Sequence, residues 1–403
     1  MRIAYLAQRV PYPPDRGDKI ATYHQVRYLS SRHEVDVFCL VQNDHDVACA
    51  TSLSGLVARV HTARISTIGA IAGCASAVVT NAPLTPGLCR ADGLMKKFEI
   101  AHRQRPFDVA LVYSSSMAQY VEGYATLPRV MEFADLDSLK WAQYAQGSRW
   151  PLKWIYARES RLLLAYERRI ARAFGHSVLC TQKELDDLRR LLPDASASCI
   201  PNGVDLDFFH PMANPHEASN LVFTGVMDYR PNVDAMVWFA EEVLPCIRVA
   251  VPGATLTICG ARPTRPVRRL AGIPGIEVTG RVPDVRDYLA RAAVCVVPLR
   301  IARGIQNKLL EAMAMGLPCV ATRQTAEGLL PDVLRAVRVA DDAEQFAAAT
   351  TGLLQDRATA TALGRLARTM VETHYRWDDQ LSILEQTLVD HAAVPHPAMS
   401  SLE

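Results

Sequence analysis

Residues 294–322 read VCVVPLRIARGIQNKLLEAMAMGLPCVAT, and the fold class turns on how this stretch divides. Residues 294–298 are a short apolar run of buried-strand character. A polar loop over 300–304 follows, and then helix formers from 305 to 315 that Gly316 and Pro318 stop. The apolar run Cys319–Ala321 resumes the sheet. Strand, glycine loop, helix and strand make one βαβ unit of a parallel sheet, so the chain reads as α/β.

The chemistry of this unit sits where loop becomes helix. The first N–H groups of a helix lack internal partners, and its N-terminus favours negative charge. Lys308 is placed to set an ammonium beside a phosphate there, and Glu311, three residues on, shares its face. A carboxylate in that position repels phosphate but suits a ribose diol, which offers two donors. The unit therefore reads as a cradle for a nucleoside diphosphate; the competing reading is a solvated Lys–Glu pair on an ordinary helix.

Composition bounds the rest. The chain has 403 residues, more than one core comfortably holds, so two domains are expected. With 49% hydrophobic and 21% charged residues it is ordinary globular material. A net charge of +2 supplies no general attraction to nucleic acid, and no nucleic-acid partner is expected. Ten cysteines are scattered without a CxxC pair, which fits reduced thiols in a cytoplasmic protein rather than a disulfide or zinc framework. Met1 leads directly into a strand, so no secretory leader is expected. The Ala- and Gly-rich stretch 65–80 is too short to span a bilayer and leaves a surface or interfacial helix open.

In order, the pattern predicts a strand over 2–8, a proline-stiffened loop over 9–19 containing Arg16, Gly17, Asp18 and Lys19, a helix over 19–31 and a strand over 34–41. Helices follow over 51–63 and 94–103, with a flexible join at 81–87, and strands over 107–113 and 129–133. Asp135 lies just past a strand end, where a site residue or a helix cap fits equally; Asp137 and Ser138 read as caps. The aromatic run from Trp141 to Tyr156 reads as packing or as an acceptor-facing lining. A long helix is expected over Leu152–Ala173, and Thr181 with Glu184 forms a capping box.

The segment KLLEAMAMGLP at 308–318 resembles the donor-site motif of glycosyltransferase family 4, and PNGVD at 201–205 resembles that family's signature at its domain junction. The resemblance implies the GT-B fold, two Rossmann-like domains with parallel sheets facing a cleft and a C-terminal helix crossing back to the first domain. Placed on this chain, it implies an acceptor-side domain over 1–210, a donor domain over 211–375, a crossover helix over 376–392 and a mobile tail over 393–403. It also implies retaining transfer of a sugar from a nucleotide-diphosphate sugar to a glycan or lipid-linked acceptor, with no bound cofactor or metal.

By the same resemblance Glu311 is the second of two glutamates separated by seven residues, and Arg303 stands where the first belongs. The loop around Gly17 and Asp18 lies near donor phosphates and acceptor, though most members carry paired glycines. The Gly225 loop lacks the family's arginine after the glycine, which leaves Arg230 as the substitute. Arg281, after a strand-and-glycine step, lies near the nucleobase. Catalytic candidates are thus Lys308, Glu311, Arg230 and Asp135; donor-binding candidates are Gly17, Asp18, Gly225, Arg230, Arg281, Arg303, Gly304, Ile305, Lys308 and Glu311. Within the family, the loop sequences are most similar to sugar transferases of bacterial exosortase and exopolysaccharide systems, and the basic and apolar residues of 65–97, with Arg90, Lys96 and Lys97, suit the cytoplasmic face of an inner membrane. Rival readings are a GT-B sugar-nucleotide epimerase and a non-catalytic nucleotide-sugar-binding subunit. A Rossmann dehydrogenase is disfavoured, because no GxGxxG follows the first strand.

Overall fold

The structure, a computed structural model, describes residues 1–212 and 219–393. Residues 213–218, at the start of the expected donor domain, and all but Ala393 of the expected tail lie outside the described residues. The chain forms two compact units: residues 1–201 together with residues from Asp378 on, and residues 202–377.

The first unit alternates strands β1 (Arg2–Ala7), β2 (Glu34–Val41), β3 (Arg59–Arg64), β4 (Val109–Tyr113), β5 (Arg129–Ala134), β6 (His176–Leu179) and β7 (Ala197–Cys199) with helices. The helices are α1 (Gly17–Ser30), α2 (Asp44–Ser52), α3 (Thr67–Val79), α4 (Leu84–Leu88), α5 (Asp92–Gln104), α6 (Asp137–Gln146), α7 (Leu152–Ala173) and α8 (Gln182–Leu191). Every strand pair is parallel and the spatial order is β3-β2-β1-β4-β5-β6-β7. β1 (RIAYLA) is buried along its whole length, as a central parallel strand covered on both faces must be.

The second unit repeats the scheme with β8 (Asn220–Thr224), α9 (Arg230–Trp238), α10 (Leu244–Ala250), β9 (Thr255–Cys259), α11 (Arg265–Leu270), β10 (Ile276–Gly280), α12 (Arg286–Arg291), β11 (Val294–Val297), α13 (Asn307–Ala314), β12 (Cys319–Ala321), α14 (Arg323–Ala326), β13 (Arg338–Val339), α15 (Ala343–Gln355) and α16 (Arg357–His374). Its parallel order is β10-β9-β8-β11-β12-β13. Both sheets are therefore Rossmann-like, and together they are the architecture of the GT-B fold. In each, strand order reverses beside the first strand, between β1 and β4 and between β8 and β11. Ligands of open α/β sheets bind outside the carboxyl ends of the strands at such a switch point.

Helix α17 (Trp377–Ala393) returns to the first unit. Leu381, Leu384 and Leu388, spaced along one face, are all buried. Glu385 accepts from the Tyr28 hydroxyl at 3.1 Å and lies 2.8 Å from His33 Nε2.

Four expectations fail locally. Residues 51–63 are not one helix: Asn43 caps α2 through Asp46 N–H, and residues 59–64 pair with β2 as the edge strand β3. The join at 81–87 holds the short helix α4, whose first amides are met by Glu159 of α7. Helix α1 starts at Gly17, so Gly17 and Asp18 belong to a first turn and not to a loop. The α6 N-terminus uses neither Asp135 nor Asp137 as its cap. There the amide of Leu136 donates to Glu184, and the amide and hydroxyl of Ser138 donate to Glu167, so acids of α8 and α7 satisfy the helix end.

Candidate functional site

In the second unit, β8 delivers the chain to Gly225, whose φ is +152°. A Cβ there would stand 2.8 Å from Asn232 Nδ2 and 3.2 Å from Lys308 Nζ, so glycine is what lets the turn close against the lysine. Gly260, at the end of β9, is tighter: its Cβ would fall 1.6 Å from the Gly225 carbonyl oxygen. Strands β8 and β9 thus end in two backbones in contact, with Lys308 beside them.

Helix α13 starts at Asn307, two residues later than expected, so Lys308 lies in its first turn. Its ammonium donates to Asn232 Oδ1 at 2.6 Å and stands 4.7 Å from the Phe223 ring centroid. The Asn232 amide is oriented in turn by donating to the Val226 carbonyl at 2.8 Å. Burial pushes the Lys308 pKa down to about 8, against a smaller upward pull from the Glu311 carboxylate. Burial pushes Glu311 up to about 7, and Lys308 opposes that shift. The pair therefore holds a charge that titrates near neutrality, next to a glycine turn and at the end of a helix whose cap position, Gln306, makes no side-chain capping bond.

The loop from β11 to α13 carries Arg303, Gly304 and Ile305. Arg303 is half-buried, and its carbonyl accepts from Gln306 Nε2 at 3.1 Å. Gly304 has φ +64°, and Ile305 packs on the core of its unit. Arg230 is the exposed first residue of α9, and Arg281 is exposed just beyond β10. Lys308 and Glu311 lie together with Gly225, while Arg230 is exposed further along the same β8–α9 connection and Arg281 lies past the end of β10.

Two groups here were not singled out from sequence. Asn232 is 76 positions from the lysine it holds, and only the βαβ closure shows the contact. Arg300 makes a two-point contact with Asp234, at 3.0 and 2.7 Å, which ties the β11 loop to α9.

Of the first-unit candidates, Gly17 opens α1 and Asp18 is paired with Arg9 at 3.0 Å and with Arg16 at 3.6 Å. Asp135 follows Ala134, whose φ is +60°, and lies 4.0 Å from Lys140. Beneath them is a buried polar chain that sequence reading passed over. Tyr5 donates to Gln25 Oε1 at 2.6 Å, and the Gln25 amide donates to both Glu132 oxygens at 2.8 and 2.9 Å. Burial raises Glu132 to about 7, against the opposing Gln25 bond. Its signal was a glutamate set between the apolar Met131 and Phe133 in the strand RVMEFA.

No group of three or more His, Cys, Asp or Glu side chains that could hold a metal ion occurs among the described residues.

Comparison with known proteins follows the same outline. The family model "Glycosyl transferases group 1" matches residues 218–356, within the second unit. A GDP-mannose-dependent alpha-(1-6)-phosphatidylinositol monomannoside mannosyltransferase of Mycobacterium tuberculosis is 31% identical over 216 residues, which cover 46% of this chain and 54% of the relative. The chain thus spans about half the length of the curated relatives it matches. Sucrose-phosphate synthase from Thermosynechococcus elongatus superposes with a TM-score of 0.71 at 18% identity, covering 97% of this chain and 98% of that one. Anabaena Alr3699/HepE, in complex with UDP, gives 0.69 at 13% identity, covering 97% and 100%. Likeness at this identity establishes the shared GT-B fold.

Proposed function

We propose that the protein is a glycosyltransferase that moves a sugar from a nucleotide-diphosphate sugar to a glycan or lipid-linked acceptor, with the donor held by the second unit. The observation that carries this reading is the Lys308 ammonium, held by Asn232 beside the Gly225 turn and in the first turn of α13, at the switch point of a Rossmann-like sheet. Lys308 offsets charge on the leaving diphosphate, which is electrostatic catalysis needing no side-chain nucleophile. Glu311 accepts from the ribose diol. Gly304, Ile305 and the basic residues Arg230, Arg281 and Arg303 line the donor's course, Gly17 and Asp18 lie near the donor phosphates and the acceptor, and Asp135 is the first domain's catalytic candidate. The match to the mannosyltransferase supports the reaction class, and the motif resemblance supports retention at the anomeric carbon and a role in exopolysaccharide or surface-glycan synthesis. The first domain, taken as 1–210, works at the cytoplasmic face of a membrane, where a lipid-linked acceptor is presented.

Thermal-shift measurement with UDP, GDP, ADP and their sugars tests the donor, since a ligand stabilises only the state that binds it. Stabilisation by at least one nucleoside diphosphate, lost in Lys308→Ala, is expected; no shift with any overturns the reading. Arg303, in the slot of the family's first glutamate, favours a second reading, a subunit that binds donor without transferring it. Donor binding with neither transfer nor hydrolysis in a product assay would select that alternative.

A further inference from the structure

Exposed apolar side chains gather on one part of the first unit. Helix α3 (TIGAIAGCASAVV) contains no charged residue, and of its thirteen residues only Ala77 is buried. Ile68 is 82% exposed and Val79 86%. Trp150, just before α7, is 84% exposed and Trp154, in its first turn, 63%. Leaving several such side chains together in water is unfavourable unless something covers them.

These residues form one surface. Helix α3 lies so close to α4 that a Cβ on Gly73 would be 2.4 Å from the Gly87 carbonyl oxygen. The α4 amides of Leu84 and Thr85 donate to Glu159 of α7, at 2.8 and 2.9 Å. Arg158 donates to the carbonyls of Ala77 and Ala82, both at 3.4 Å. Trp154 is one turn before Arg158 on the same face of α7, the face that meets the C-terminal end of α3.

Charge around the surface has one sign. Residues 65–89 contain no charged side chain, and residues 145–161 carry Arg149, Lys153, Arg158 and Arg161 against a single acid. That acid, Glu159, is buried and committed to the α4 amides. Of the basic residues marked by sequence, Lys97 donates to the Thr62 carbonyl and Arg90 pairs with Asp92.

We propose that this face docks on an anionic lipid bilayer, with α3 lying in the interface, Trp150 and Trp154 at headgroup level, and Arg149 and Lys153 on lipid phosphates. It rests on the membrane side of the proposed function and gives it a specific surface. A cationic rim repels a second copy of itself but complements anionic headgroups, and tryptophan suits the boundary between water and hydrocarbon. No helix among the described residues is long and apolar enough to cross a membrane, so the mode is lying on, not spanning.

The test is co-sedimentation of the full chain with phosphatidylcholine vesicles, with and without phosphatidylglycerol, beside sedimentation velocity without lipid. Binding is expected to the anionic vesicles, weakening with salt. Ile71→Ser with Val79→Ser, and separately Trp150→Ser with Trp154→Ser, should each lower partitioning about tenfold or more, while Arg149→Ser with Lys153→Ser should remove the preference for anionic lipid. Unchanged thermal unfolding of these surface variants shows that they fold. Equal partitioning of variants and parent overturns the proposal. So does a dimer in the absence of lipid that the same substitutions dissolve, because the surface then serves a second copy. Calorimetry with nucleoside diphosphates on the same variants separates the two readings: retained nucleotide binding with no vesicle binding sinks only the docking surface.

Discussion

At the scale of single residues, the site turns on a lysine whose charge is held at a cost. Asn232 gives the Lys308 ammonium one acceptor, while burial favours its neutral form and lowers its pKa to about 8. A diphosphate favours the charged form. Lys308→Ala should therefore weaken nucleoside diphosphate binding by roughly 1.5–3 kcal/mol and leave the bare nucleoside unaffected. Calorimetry on both ligands measures this, and an equal loss for each removes Lys308 from the phosphates. The pH dependence has a definite sign: diphosphate affinity holds near pH 7 and falls as pH rises past about 8, where the free protein loses the ammonium. Lys308→Arg should flatten that decline, because a guanidinium stays charged. Glu311 gives a second handle. Its carboxylate accepts from two hydroxyls, whereas an amide keeps one acceptor oxygen and adds donors. Glu311→Gln should weaken ribonucleotides but cost much less for a 2′-deoxy donor, and a double-mutant cycle between residue and hydroxyl reads the coupling. A coupling of zero would move Glu311 off the ribose.

At the scale of elements, one buried acid supports a whole layer. Glu159 of α7 accepts from the amides of Leu84 and Thr85 and, at 2.8 Å, from the Thr85 hydroxyl. Glu159→Ala strands these donors and should cost roughly 3 kcal/mol, with faster amide exchange confined first to residues 67–88. Uniformly unchanged exchange there would show that α3 and α4 hold without it. Elements of this kind also mark where sequence is a good guide. The β11–α13–β12 unit was legible because apolar runs, a helix-forming stretch and the Gly316–Pro318 stop all point the same way. Helix α7 was legible from its length and from an apolar face now seen buried at Leu163 and Ile170. Residues 51–64 were not, because β3 (RVHTAR) is a half-buried edge strand whose alternation is too weak to outrank a helical pattern. Helix α4 was hidden because its amides are met by an acid 75 positions away. Within the site, the Gly225 turn and Lys308 were each visible, but the asparagine joining them was not, since local pattern does not register pairings made by tertiary closure.

At the scale of the whole molecule, each unit has its own apolar core, and glutamates in both, fully buried at Glu132 and Glu167 and half-buried at Glu311, are held back from ionising by desolvation. Glu132 and Glu311 are raised to about 7, and Glu167 to about 8. A carboxyl whose folded pKa lies above its unfolded value keeps its proton in the native state after the unfolded chain has released it. Its stabilising contribution is complete below the unfolded pKa of 4.5 and is lost as pH rises through the folded value. His176 acts in the opposite sense lower down: burial and the nearby His391 depress it from 6.5 to about 4, so stability it supplies above 6.5 is lost as pH falls through that range. Lys308, depressed from 10.5 to about 8, acts against the glutamates as pH rises through 8, at the top of this range. Between pH 6.5 and 8 the glutamates therefore dominate, and unfolding free energy should decline with rising pH. Glu167 is the one to isolate, because its range extends highest and it lies under α6, on the amide and hydroxyl of Ser138. A glutamine there cannot ionise. Glu167→Gln should thus reduce the decline by up to about 1.4 kcal/mol per pH unit across this window, whatever it does to stability at pH 6.5. Denaturant unfolding of both proteins at pH 6.5, 7.2 and 8 gives the two slopes. Parallel slopes would mean that Glu167 is already ionised in the folded state at pH 6.5, with the Ser138 bonds holding the charge against its burial.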